Sequence, residues 1–540
     1  MGVDNFDYVI VGAGAAGSVL ANRLSEDPSI TVCLLEAGPP DRNPWIHIPA
    51  GFTKTLFNPA VTWQFRTEPT ANTAGRAIAT TQGRTLGGSS SVNGMIYNRG
   101  QPDDLNSWAQ RGNRGWGYDD VLPYYRRSEN RIGAGDDHKR GRNQDGIPIT
   151  DNDWTHPLTE AFIAGAVGLG IPRNPDYNSG DQAGVGYYQR AIRNGRRVSA
   201  ARAFLGPAKS HKNLDIRTDA RASAVVFEGT RAIGVRYQSS RLAAPVEIRA
   251  RREVILSAGT VNTARLLQVS GVGPREWLTE LGIDVLLDAP VGRHFRDHFA
   301  VRNVVRVKPG TPTMNEMARG PRLAVELARW ATGRPSILAI APSVVHVFWK
   351  SDESLDAPDL QCVFTPGSYK AGRNYILDDY PGMTAGAWPH RPESTGFVRA
   401  RARDVWEDPV IQPNYLSHEQ DRRVTLGGMR LVRRMLATPE LAPFVDREIL
   451  PGPDVNSDAE MLDFARANGG TTYHLIGTCR MGPSTDPSAV VDDRLRLHGL
   501  QALRVVDASI MPSMPSANTY ATTLMIAEKA ADMIKQDRTT

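Results

Sequence analysis

The segment YVIVGAGAAGSVLANRLSEDPSITVCLLE, residues 8–36, constrains the fold more than any other part of the chain. The apolar, β-branched run Tyr8 to Val11 reads as a core strand, and Gly12-x-Gly14-x-x-Gly17 follows at once. Ser18 to Leu24 has helical periodicity, and Ile30 to Leu35 reads as a second strand ending on Glu36. Strand, tight turn, helix and strand in that order form the unit that a dinucleotide site requires. Gly12 permits the turn, Gly14 lets the backbone approach a pyrophosphate, and Gly17 lets the helix lie close on the sheet with its N-terminus facing the phosphates. Glu36 stands where both ribose hydroxyls can be accepted, which argues against a 2′-phosphate. This unit alone does not choose between NAD and FAD.

Composition removes several other classes. With 22% charged and 41% hydrophobic residues among 540, the chain is neither disordered, collagenous nor a disulfide scaffold. A net charge of +5 is weak for this length, and no basic block is long enough for a nucleic-acid footprint. Arg193, Arg196, Arg197 and Arg202 form one loose set, and Arg422, Arg423, Arg430, Arg433 and Arg434 form a second within an amphipathic helix whose basic face is solvated. Cys33, Cys362 and Cys479 are too scattered for a framework and suit a reducing compartment. The uncharged run Ala508 to Ala527 has the length of a membrane span, but Pro512, Pro515, Asn518 and several hydroxyl residues are costly in hydrocarbon, so no transmembrane segment is expected. The core strand begins at Phe6, leaving no room for a signal peptide, and a cytoplasmic location is expected.

Further along, NLDIRT, ASAVVFEG, AIGVRYQ and EVILSAG read as strands of a small antiparallel layer that returns to the parallel sheet at Val254 to Leu256. TVNTARLLQVSGVG reads as a helix closed by Gly271 and Gly273. Between about 300 and 464 come a helix at RLAVELARWATG, strands around SVVHVFW and LQCVFTPG, and the arginine-rich helix. Length alone suggests about three to four folding units. The motif order instead predicts two domains, one discontinuous: residues 1–155, 195–300 and 465–540 around the dinucleotide, and residues 156–194 and 301–464 around a substrate.

Three stretches carry chemistry. Gly83 to Gly100, GRTLGGSSSVNGMIYNRG, offers many backbone N–H groups and little bulk, as suits a chain wrapping a large flat ligand. TTYHLIGTCRMG holds His474, and LRVVDASIMPSMPSANTY holds Asp507 and Asn518 ahead of a closing helix. His294 and His298 have the spacing of a zinc helix, but Phe295 stands where the catalytic Glu belongs and no third ligand is evident, so no metal is expected.

Taken together, GRTLGGSSSVNG, SAGTVNTARLLQVSGVG, VGRHFRDHF, HLIGTCRMG and VVDASIMPSMPSANT resemble, in order, characteristic blocks of the glucose/methanol/choline (GMC) family of FAD oxidoreductases, except that Ala264 replaces the usual Pro or Ser. The resemblance spans nearly the whole chain and is nearest to bacterial choline dehydrogenase-like enzymes, sorbose dehydrogenases and hydroxymethylfurfural oxidases. It implies an α/β plus α+β fold, a Rossmann-like FAD domain beside a substrate domain built on an antiparallel sheet. It also implies oxidation of a primary alcohol to an aldehyde, or on to the acid through the hydrate, with oxygen or a quinone- or dye-type molecule as acceptor. His474 is then the general base toward the hydroxyl, with the ordinary imidazole pKa near 6.5 well matched to that task. Asn518, which cannot trade a proton, donates its amide to the alkoxide and accepts from the alcohol at its carbonyl, or serves as an N-cap of the helix that follows. The FAD-lining residues implied are Gly12, Gly14, Ala15, Gly17, Glu36, Ala37, Arg84, Gly87, Gly88, Asn93, Gly94, Met95, Ala222, Tyr473, Asp507, Ala508 and Thr519. Val92 occupies the place of the His that binds FAD covalently in some members, so noncovalent FAD is expected. The same scaffold supports hydroxynitrile lyases, a light-driven decarboxylase, and in principle a flavin-binding protein without turnover.

Overall fold

The computed structural model describes residues 3–370 and 375–538. Two seven-stranded sheets face one another across a cavity. In the first, the strand Asp4–Val11 lies between Val32–Leu35 and Val246–Leu256, parallel to both. Covered on both faces, it has no solvent side to encode, which is why it reads as continuous apolar sequence from Tyr8. Val246–Leu256 serves two neighbours in turn: its first half pairs antiparallel with Arg231–Gln238, its last three residues pair parallel with Leu503–Val505. The C-terminal segment thus completes a sheet begun at the N-terminus.

One expectation is corrected. Leu214–Arg217 is not part of the antiparallel layer; it is the parallel edge strand beside Val32–Leu35, with Leu214 opposite Val32. Alternation and β-propensity mark a strand but not its partner, and here the partner is set by the turn that follows. Asp219, at φ 53°, and Ala220 donate their amides to the carbonyls of Gly38 and Glu36, tying this turn to the end of the neighbouring strand.

The second sheet is antiparallel, in the order Val445–Leu450, Phe299–Val307, Gly382–Pro389, Leu360–Thr365, Val345–Trp349 and Gly184–Tyr187, with Gly470–Thr471 added beside Phe299. Its side chains alternate strictly. Val305, Cys362, Phe364, Met383, Ala385 and Ala387 pack under the helices Glu419–Leu436 and Pro157–Gly168, whereas Arg302, Val304, Val363, Thr365, Thr384 and Trp388 face the cavity.

The last part of the uncharged run near the C-terminus, Thr519 to Ala527, forms the first half of the helix Thr519–Asp537 and is buried in protein from Ala521 on. Among the described residues no helix is long and apolar enough to cross a membrane. The three cysteines are free and buried.

Candidate active site

The dinucleotide loop and the Gly/Ser loop are pressed together. A Cβ on Gly17 would stand 1.8 Å from the Gly12 carbonyl oxygen, and one on Gly12, at φ 100°, would stand 2.4 Å from that of Ser257. A Cβ on Gly88 would meet the Gly14 Cα at 2.7 Å, so the turn Gly88–Ser91 seats backbone on backbone. Gly14 is different: its own Cβ position is open, with nothing nearer than the Gly88 Cα at 4.0 Å.

The cavity of about 430 Å³ between the sheets is walled by Gly12, Gly14, Ala15, Glu36, Ala37, Gly88, Asn93, Gly94, Met95, Ala222, Tyr473, His474, Asp507, Ala508, Asn518 and Thr519. Gly17, Gly87 and Arg84 lie off that wall: Gly17 takes the helix–sheet packing role expected of it, Gly87 forms a left-handed turn at φ 87°, and the Arg84 guanidinium, over the Trp63 ring, donates to the Pro59 carbonyl at 2.7 Å. Arg197 of the loose basic set is instead buried, donating to the Ile46 and Ser90 carbonyls and to Asn93 Oδ1, so that it holds the Gly/Ser loop; burial brings its pKa down to about 9.

These surfaces fit FAD. Two helix N-termini, those of Ala15–Ser25 and Thr519–Asp537, open into one cavity and present unsatisfied N–H groups to an anionic ligand. Glu36 accepts from the amides of Ala13 at 3.0 Å and Gly38 at 2.8 Å, keeping a lone pair on each oxygen, and burial pushes its carboxyl up to about 7. Hydroxyl donors from a ribose would complete it.

His474, 9% exposed, is held from several sides. Its amide donates to Asp297 Oδ1 at 2.8 Å, while Asp297 Oδ2 also accepts from Tyr415 and Thr471. Its ring is set by His298. The Nε2 of His298 lies 2.7 Å from the His390 carbonyl, which can only accept, so neutral His298 carries its proton there and presents a bare Nδ1. That Nδ1 is 2.9 Å from Nδ1 of His474, which therefore donates, with the Thr472 Oγ1 a second acceptor at 2.8 Å, leaving Nε2 of His474 as the acceptor on the cavity wall. Asn518 Nδ2 donates to this Nε2 at 3.0 Å. The amide's orientation is fixed because its Oδ1 accepts from Gln361 Nε2 at 3.1 Å.

Asn518 sits at the N-cap position but its side chain makes no cap bond, and its carbonyl points to Gln361 where an alcohol partner was expected. His474 is not near 6.5: burial first, and the neighbouring His298 second, hold it well below the ordinary range. Burial likewise brings His298 down to about 4 and raises Asp297 to about 6. The two residues of the rejected zinc pattern are separated by structure, since His294 lies at φ 60° outside any helix. Among the described residues no group of three or more His, Cys, Asp or Glu side chains is placed to hold a metal ion. Asp297, Gln361 and Tyr415 escaped the sequence reading as site residues, and His298 entered it only as a rejected zinc ligand; the signal for Asp297 and His298 was the block VGRHFRDHF that holds them.

Known proteins place this geometry. Family models described as GMC oxidoreductase match residues 6–300 and 392–527. An alcohol dehydrogenase [acceptor] of Pseudomonas putida is 39% identical over 530 residues, covering 98% of this chain and 95% of that one. The mitochondrial choline dehydrogenase of Homo sapiens is 39% identical over 547 residues, covering 98% and 90%. The crystal structure of pyridoxine 4-oxidase from Mesorbium loti superposes with a TM-score of 0.89 at 34% identity, covering 99% of this chain and all of that one. The chain belongs to the GMC oxidoreductase family and is an FAD-dependent oxidoreductase acting on CH–OH donors.

Proposed function

We propose that the protein oxidises a primary alcohol to an aldehyde, with His474 as general base and Asn518 as its hydrogen-bond partner. The observation that carries this reading is the unprotonated Nε2 of His474, left as an acceptor by the His390–His298–His474 chain and met by Asn518 on the cavity wall. FAD, when bound, supplies the hydride acceptor. The chain's residues do the rest. Nε2 of His474 takes the hydroxyl proton as the carbon–hydrogen bond is lost. Asn518 Nδ2, already aimed at Nε2 with its carbonyl tied by Gln361, donates to the developing alkoxide. The N-terminus of Thr519–Asp537 favours negative charge at its end of the cavity. Val92, which lines the cavity, has no nucleophilic atom, in keeping with noncovalent FAD. The buried free thiols suit a reducing, cytoplasmic setting.

Anaerobic mixing with a panel of alcohols tests the reading. Bleaching of the flavin band is expected, and in His474→Ala a flavin spectrum that is retained while the reduction rate falls about 10²- to 10⁴-fold. Flavin that no alcohol reduces would favour a lyase, a photodecarboxylase or a protein without turnover. A His474→Ala variant reduced at the normal rate would remove His474 from the mechanism. Oxygen uptake against dye reduction with the same panel separates the two acceptor classes.

A further inference from the structure

The cavity face of the second sheet is laid out in rows, one pleat repeat apart. Trp388 and its cross-strand neighbour Gln361 form the row at the reacting groups, since Gln361 bonds Asn518 and the Trp388 ring centroid is 6.4 Å from that of His474. Two residues along, Gly386 lies opposite Arg302 on one side and Val363 on the other. The next row is Val304, Thr384 and Thr365. Arg302 therefore starts about 7 Å from the row of the reacting groups.

Arg302 is half-buried and lines the cavity, yet among the described residues its guanidinium has neither a hydrogen bond nor an ion pair. Other cations on the wall are engaged: Lys370 pairs with Asp379 at 2.6 Å, Arg265 donates to the Glu407 carbonyl, and Arg221 lies between the rings of Trp63 and Trp406. Nor does an acid of the wall pair with Arg302. Its carboxylates are Glu36 and Asp507, of which Glu36 accepts from the amides of Ala13 and Gly38, and Asp507 from Gly259, Thr263 and Ser509. Gly386 makes room for the arginine stem, for a Cβ there would come within 3.1 Å of Arg302 Cγ.

We infer that Arg302 selects an alcohol bearing a carboxylate, held by the guanidinium while its hydroxymethyl group lies at His474. The inference rests on the alcohol-oxidation reading above. A forked guanidinium matches one planar carboxylate. A quaternary ammonium alcohol would meet an uncompensated positive charge where it needs a carboxylate or an aromatic cage. The chemistry is unchanged: the hydroxyl proton goes to His474, the hydride leaves carbon for the flavin, and the carboxylate is a spectator.

The holoenzyme is to be assayed with 4-(hydroxymethyl)benzoate, with 4-methylbenzyl alcohol as its neutral counterpart, and with choline. The expected kcat/KM is about 10- to 100-fold higher for the hydroxy acid than for the neutral alcohol, with choline lowest. In Arg302→Met that ratio is expected to collapse toward one through KM rather than kcat, and Arg302→Lys should recover part of it, each with an unaltered flavin spectrum. Equal or better turnover of the neutral alcohol or choline by the wild type overturns the inference, whatever the variants do. If neutral alcohols bleach the flavin without preference for the acid, only Arg302 selection fails. If no alcohol of any charge bleaches it, the oxidation reading itself fails.

Discussion

The pKa of His474 follows from its burial and from one neighbour, His298. Burial removes the water that would solvate an imidazolium, and His298 behind it adds repulsion, so the ring is neutral well below the usual range. A weaker base accepts a proton less readily, but its acceptor form stays fully populated at acidic pH. The sign is fixed: protonation inactivates, and the folded pKa is depressed, so activity is lost only as pH falls through that lower value. The acid limb of the rate of flavin reduction by alcohol should therefore lie clearly below pH 6.5. A limb centred at 6.5 or above would show that the imidazole is not desolvated as described. The residue type at position 474 was legible from its motif. Its tautomer was not, because the His390 carbonyl that sets it is remote in sequence and acts through His298.

At the scale of elements, the glycines of the first turn do unlike jobs that one motif does not distinguish. Gly17 is required by packing, since its missing Cβ is where the Gly12 carbonyl oxygen lies at 1.8 Å. Gly14 adopts φ −73° and has open space around its Cβ position, so the protein alone has no need of glycine there. Gly17→Ala should thus fail to fold or lose several degrees of Tm with or without flavin. Gly14→Ala should fold as an apoprotein with Tm within about 2 °C of the wild-type apoprotein, yet take up FAD poorly, since the methyl group projects where the cofactor backbone passes. Equal FAD affinity in Gly14→Ala, measured by fluorescence titration of the apoprotein, would refute the second assignment. The strand before these glycines and the helix after them were readable because periodicity and apolar runs are local. The partner of Leu214–Arg217 was not, because pairing is decided by the turn at Asp219 and by a strand nearly two hundred residues earlier.

Across the whole molecule, the N- and C-terminal parts are locked by one buried acid. Glu528, with a fully buried side chain in Thr519–Asp537, accepts from Arg23 of Ala15–Ser25 at 2.9 Å and from Arg127 of Tyr118–Ser128 at 2.7 Å. Removing the carboxylate takes a buried partner from two guanidinium groups, leaving Arg23 the exposed Glu26 and Arg127 the half-buried Asp532. Glu528→Ala should cost about 3 kcal/mol, read from denaturant midpoints of the holoenzyme. Because Glu528 does not line the cavity, kcat/KM should change less than about 3-fold. A variant of wild-type stability would mean that the pairs made by Glu528 add nothing net to the packing of the three helices.

What the sequence by itself determined are features written in contiguous residues: the dinucleotide unit at Gly12, Gly14 and Gly17, the Gly/Ser loop, His474 and Asn518 in their blocks, and the family these resemble. Such features are local because a turn, a cap or a core strand needs only its own residues to declare itself. The tertiary structure alone decided that Asp297 and His298 stand behind His474, that Gln361 fixes the Asn518 amide, and that Arg302 faces the cavity with neither a hydrogen bond nor an ion pair among the described residues. Each depends on strands far apart in the chain being brought into register, where alternation sends one side chain to the core and the next into the cavity.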